Sequence, residues 1–116
     1  GNPVCCAASK ANIEFLTGDN FQEGFKERCK LFEKMSNNLL KYDCITHINT
    51  EGMVTGIIFD ETEKATRVVK DCIKNGVLPV CTFKNAIKLG PPLTITTDAI
   101  KESFEVIEQC IKLADE

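Results

Sequence analysis

Lys88 is the cation in this sequence best placed to do chemistry. It lies in the apolar, strand-like run Asn85-Ala86-Ile87-Lys88-Leu89, immediately ahead of the rigid turn Gly90-Pro91-Pro92. An ammonium held on a strand can grip a carboxylate as a point charge. The same side chain can equally be a solvated strand residue, and both readings stand at this level. His47, the one histidine, sits in a strand-like stretch with no matching Asp or Ser partner. A hydrogen-bonded structural imidazole explains it better than a general base. Lys10 lies mid-helix between Ser9 and Ala11 and reads as part of a solvated face. Cys5 and Cys6 adjoin a helix start, where a thiolate is favoured, yet packing accounts for them more simply. Glu61 and Glu63 read as charges opening a helix rather than as an acid/base couple. Gly52 and Gly56 read as backbone devices, a bend and a close approach.

The composition removes several classes of function. The chain has 116 residues, 43% hydrophobic and 27% charged, with a net charge of -3. That is one ordinary globular domain, long enough to bury roughly 65% of its unfolded surface. Charges of both signs are interleaved, and no basic stripe with stacking aromatics is present, so nucleic acid is not an expected partner. No apolar run approaches the roughly 20 residues needed to span a bilayer, and no signal peptide opens the chain. No membrane association and a cytoplasmic location are therefore expected. The seven cysteines are odd in number and show no C-x-x-C spacing, and one His accompanies them. Reduced, mostly buried thiols are expected, with no metal site.

The elements that must position these residues follow from periodicity. Residues 3–16 have helical spacing, with Pro3 in the first turn and Val4, Ala8, Ala11 and Phe15 as one stripe. Gly18 is the stop. A second helix is predicted over 20–40, its face carrying Phe21, Phe25, Cys29, Phe32, Ser36 and Leu39. Residues 45–50 and 53–59 read as two short strands bent at Glu51-Gly52. A third helix is predicted over 61–75, with Ala65, Val68, Val69, Cys72 and Ile73 inward and Asn75-Gly76 as its C-cap. Short strands follow at 77–81 and 85–89, the first irregular or at an edge because of Pro79. The last helix spans 97–113, capped by Thr96, with Ile100, Phe104, Ile107 and Ile111 inward. The expected fold is α+β, a small antiparallel or mixed sheet of about three or four strands flanked by helices.

Three segments carry a family resemblance that covers nearly the whole chain. Gly1-Asn2-Pro3-Val4-Cys5-Cys6-Ala7-Ala8 resembles the G-N-P-hydrophobic-x-C/A-A-A run with which class III aminotransferases enter their C-terminal domain. Glu51-Gly52-Met53-Val54-Thr55-Gly56-Ile57-Ile58 is similar to the family's G-x-G-hydrophobic-hydrophobic-x-G-hydrophobic strand. The run Asn85-Ala86-Ile87-Lys88-Leu89-Gly90-Pro91-Pro92-Leu93-Thr94-Ile95-Thr96 resembles N-hydrophobic-I-R-hydrophobic-x-P-P-L-T-I-T.

The resemblance implies the C-terminal small domain of a fold-type I, pyridoxal-phosphate-dependent transaminase that dimerises. Residues 1–18 would be the helix connecting to a large domain and 19–116 the small domain itself. The opening at Gly1, without Met, reads as a cut end. In the family the Schiff-base lysine, and the threonine that contacts the phosphate of the partner subunit's cofactor, lie upstream of the G-N-P motif. No catalytic residue is therefore expected within this chain, nor any cofactor bound to it alone. The parent enzyme would move an amino group from an ω-amino acid to a 2-oxo acid. Where many members grip the substrate carboxylate with an Arg, this sequence has Lys88, which cannot reproduce the planar fork. Asn49 and Thr50 also depart from the family's Arg-Gly. Asn2 would stand near the cofactor end of the parent, or simply start the helix. A free-standing, non-catalytic dimerisation module derived from the same family is the competing expectation.

Overall fold

A computed structural model describes residues 1–82 and 84–116. Its first helix, α1 (Pro3–Thr17), begins where the sequence places it. Asn2 Oδ1 accepts from the Val4 N–H at 2.9 Å, and Pro3 occupies the first turn, where no N–H is required. The helix ends at Gly18, whose backbone is extended. After this come α2 (Asp19–Asn37), a short 3-10 helix (Asn38–Lys41), β1 (Ile45–Glu51), β2 (Val54–Phe59), α3 (Thr62–Lys74), β3 (Val80–Cys81), β4 (Ala86–Leu89) and α4 (Thr97–Asp115).

The four strands form one sheet in the order β1-β2-β4-β3, antiparallel at every step. This is the expected α+β class, with the antiparallel alternative realised. The hairpin between β1 and β2 turns at Gly52, whose φ of +58° is strained for any side chain. Met53, beside it, is buried. A register shift between Ile45 and His47 lets both Ile45 and Ile48 face the core. The sheet's inner side is Ile57 and Phe59 of β2 with Ile87 and Leu89 of β4, all buried. Strand β3 is at an edge and much shorter than the predicted 77–81. Pro79 lacks the N–H a ladder needs, so pairing starts only at Val80.

Helices α2 and α3 pack on the sheet, and α4 packs on both of them. The inner stripe of α4 (Ile100, Phe104, Ile107 and Ile111) is buried as its spacing predicts. Phe104 meets Phe32 of α2 edge-on, ring centroids 5.3 Å apart. On α3, Ala65, Val68, Val69 and Cys72 are buried, but Ile73 is 49% exposed. It stands in the last turn of α3, about 100° round the helix from the buried Cys72. Val77 N–H donates to Cys72 O and Gly76 N–H to Ile73 O, with Gly76 at φ +86°, a Schellman closure. The predicted helix over 20–40 divides near Asn38, and the 3-10 turn drives Leu39 into the core at 1% exposure.

Helix α1 departs most from expectation. No residue on it is buried, and its stripe faces outward, with Val4 77% and Phe15 53% exposed. It touches the body through α2, where Phe15 packs on Phe21 at 5.2 Å. The projecting helix stretches the molecule to 52 × 29 × 23 Å and its radius of gyration to 16.3 Å. A compact chain of this length would have about 13 Å.

Candidate functional site

The alternation of a strand sends successive side chains to opposite faces. On β2 this buries Thr55, Ile57 and Phe59 against the helices and turns Val54, Gly56 and Ile58 outward. On β4, Ile87 and Leu89 go in and Lys88 comes out. On β1, Ile48 goes in while His47 and Asn49 come out. The register then lines the outward residues up: Asn49 opposes Gly56, Gly56 opposes Lys88, and Lys88 opposes Val80. One row thus crosses all four strands.

Above this row lies an open groove of about 480 Å³, walled by Asn49, Val54, Gly56, Thr82 and Lys88. Its floor is Gly56, around whose missing Cβ there is no heavy atom within 4 Å. No described residue of this chain makes the close approach expected at Gly56. This face of the sheet is uncovered, and the glycine leaves a gap. Gly52, in contrast, is the predicted bend. Lys88 is exposed, and among the described residues it has no ion-pair partner. Asn49 Oδ1 lies 2.8 Å from His47 Nε2. An amide oxygen only accepts, so the imidazole nitrogen donates. This is the structural hydrogen bond expected of His47.

The remaining candidates lie elsewhere. Asn2 spends its amide oxygen on the α1 N-terminus and lines a separate shallow surface with Cys5, Cys6 and Ile13. Lys10 pairs with Glu14 at 3.8 Å, both exposed. Glu61 pairs with Lys64 at 3.9 Å, and Glu63 stands in the first turn of α3, where the helix dipole favours an anion. All seven cysteines are free. Cys44, Cys72 and Cys110 are buried, Cys29 and Cys81 partly so, and Cys5 and Cys6 exposed. The expectation of mostly buried thiols thus fails on α1, because that helix has nothing packed over it. Burial pushes the Cys44 and Cys72 thiols up to about 12, where they are poor nucleophiles. Among the described residues no group of His, Cys, Asp and Glu is arranged to hold a metal ion. Among the described residues no helix is long and apolar enough to cross a membrane.

Nearly the whole chain, residues 1–111, matches the family model for class III aminotransferases. The chain belongs to the class III aminotransferases. This family uses pyridoxal phosphate. Acetylornithine aminotransferase of Caldanaerobacter subterraneus subsp. tengcongensis is 29% identical over 112 residues, which are 96% of this chain and 28% of that protein. Mitochondrial ornithine aminotransferase of Rattus norvegicus is 32% identical over 114 residues, 96% of this chain and 26% of that protein. The crystal structure of acetylornithine aminotransferase from Elizabethkingia anophelis superposes with a TM-score of 0.82 at 27% identity, covering 96% of this chain and 30% of that one. The chain therefore spans between a quarter and a third of the length of these class III relatives.

The residues present do not by themselves make a site for the family's cofactor. A Schiff-base lysine works in an enclosed, desolvated pocket, and no described lysine of this chain is buried. The Asn2 amide oxygen is taken by the Val4 N–H.

Proposed function

We propose that this chain is the C-terminal part of a pyridoxal-phosphate-dependent aminotransferase that moves an amino group from an ω-amino acid to a 2-oxo acid. The amino donor is of the 4-aminobutyrate, ornithine or acetylornithine type. The ornithine and acetylornithine aminotransferases among its relatives support this donor class. The observation that carries the reading is Lys88: a cation with no ion-pair partner among the described residues, on the open face of a sheet, in the segment resembling the family's carboxylate-binding motif. Its role is to hold the substrate carboxylate. The Schiff-base lysine is supplied from outside these residues, so the chain alone is inactive. The working protein is a homodimer in the cytoplasm.

The test is to express the longest reading frame that contains this chain and assay amino transfer from each of the three donors to a 2-oxo acid. Transfer that requires pyridoxal phosphate, with Lys88→Ala raising KM for the donor or acceptor at least about tenfold, supports the reading. Absence of transfer with all three donors overturns the donor class. An unchanged KM in Lys88→Ala overturns the role of Lys88.

The exposed apolar side chains of α1 favour a second reading, a non-catalytic module that self-associates. Val4, Ile13 and Phe15 are each more than half exposed on one helix, and such surface ordinarily seeks a partner. Light scattering behind size-exclusion chromatography tests it on the chain itself. A dimer that Phe15→Glu dissociates supports the module, and a strict monomer at high concentration removes it.

A further inference from the structure

Two of the three departures from the family pattern, Asn49 and Lys88, fall on the same row of the sheet, on either side of Gly56. Adjacent strands are about 4.8 Å apart, so the Cα atoms of Asn49 and Lys88 stand about 10 Å apart. Between them is a residue without a side chain and open space above it. Among the described residues Asn49 and Lys88 make no hydrogen bond to each other, and the open space over Gly56 admits a small anion between them. A single Arg holds a carboxylate through two N–H donors in one fork. Lys88 supplies charge but no fork, and the second donor has to come from elsewhere.

We infer that the gap over Gly56 is a two-point carboxylate seat, in which Lys88 Nζ and Asn49 Nδ2 hold one oxygen each. The inference rests on the reading of Lys88 as the carboxylate cation and adds Asn49 as a substrate-binding residue. The orientation of Asn49 supports it. His47 Nε2 donates to Asn49 Oδ1 at 2.8 Å, so the acceptor end of the amide is engaged and its N–H2 donor end is left for the ligand. His47 is thus a positioning residue for Asn49. The remainder of the groove sets the ligand class. Val54, 45% exposed, gives an apolar wall two residues along β2 from Gly56. Glu51 stands at that same end, opposite Val54, and repels a second carboxylate. The seat therefore takes a monocarboxylate whose methylene chain runs along Val54.

Titration of the isotope-labelled chain with butyrate, followed by NMR and compared with chloride at equal ionic strength, tests this directly. Butyrate has no amino group, so only the carboxylate contact is read. The expected result is a saturable shift of the Asn49 side-chain N–H2 and the Gly56 amide. Asn49→Leu should weaken binding by about tenfold, the lower end of what one hydrogen bond to a charged group contributes. Gly56→Val should abolish binding by filling the gap while leaving the melting temperature unchanged or higher, because a β-branched residue suits a strand. If Lys88→Ala loses binding and Asn49→Leu keeps wild-type affinity, the seat is one-point. Asn49 then has no role, while the reading of Lys88 survives. If Lys88→Ala binds as wild type, that reading falls as well. No saturable shift in the unmodified chain overturns the seat.

Discussion

Ser36 Oγ on α2 and Thr55 Oγ1 on β2 stand 2.9 Å apart, with neither side chain exposed to solvent. Thr50 Oγ1 on β1 continues the chain at 2.6 Å from Thr55. These hydroxyls bolt the first helix of the core to the centre of the sheet, one residue before Gly56. The inner side of β2 is thereby fixed, and with it the outer row that carries Asn49 and Lys88.

Breaking that bond from one side should cost more than removing it altogether. Thr55→Val leaves the Ser36 hydroxyl buried without a partner, a loss of about 1–3 kcal/mol. The double variant Ser36→Ala with Thr55→Val removes both polar groups and should recover a large part of it. Urea unfolding of the two variants checks this. Equal or greater destabilisation in the double variant would show that the hydroxyls are not coupled.

Truncating Phe104 should destabilise the chain by about 3–5 kcal/mol. It is 3% exposed and joins α4 to α2 through the edge-on contact with Phe32. For a single domain of marginal stability this approaches the whole reserve. Phe104→Leu, which keeps most of the volume, should cost markedly less in the same thermal melt.

Acid should loosen the C-terminal end of α4 first. The Asp115 carboxylate accepts from the Cys44 N–H at 2.7 Å and the Asp43 N–H at 3.3 Å. The bond from the Cys44 backbone is the chief reason that its carboxyl titrates below the usual value of 3.8. A carboxyl lowered by folding stabilises the native state above its unfolded value, and that contribution is lost as pH falls below about 3.8. Glu108, held by Lys41 and then by Tyr42, is lowered from 4.5 and acts in the same direction. Asp115→Asn should therefore lower the melting temperature at pH 7 and flatten its fall between pH 5 and 3. An unchanged slope would assign the acid sensitivity to other groups.

Thiol labelling should divide the cysteines by position. Cys5 and Cys6 should react with a water-soluble disulfide reagent in the folded chain, whereas Cys44 and Cys72, pushed up to about 12 by burial, should react only on unfolding. Mass spectrometry of the labelled native chain identifies the modified positions. Rapid labelling of Cys72 would mean that α3 opens locally.

Replacing Lys88 by Arg should improve the hold on a carboxylate in the full-length enzyme. The guanidinium supplies both donors itself. KM for the carboxylate substrate should fall several-fold, and the further effect of Asn49→Leu should shrink, which a double-mutant cycle would show.

The sequence by itself determined the family, the α+β class and nearly every element, because each of these is local. The 3.6-residue stripe of Ile100, Phe104, Ile107 and Ile111 needs only one face to be buried. Asn75-Gly76 needs only a glycine at positive φ, and the G-N-P and P-P-L-T motifs each span only three or four consecutive residues. What it could not determine depends on residues far apart in the chain. Lys88 was legible as a cation on a strand, but whether it faced solvent or a ligand depended on the uncovered outer sheet face. That Asn49 shares its row follows from two strand registers, and a slip of one residue would have sent it to the opposite face. Gly56 was legible as a backbone device in a strand, and only the tertiary structure shows that nothing of this chain fills the space above it. The stripe on α1 illustrates the same limit. Amphipathic spacing says that a face is fit to be buried, and tertiary structure alone decides whether anything is there to cover it.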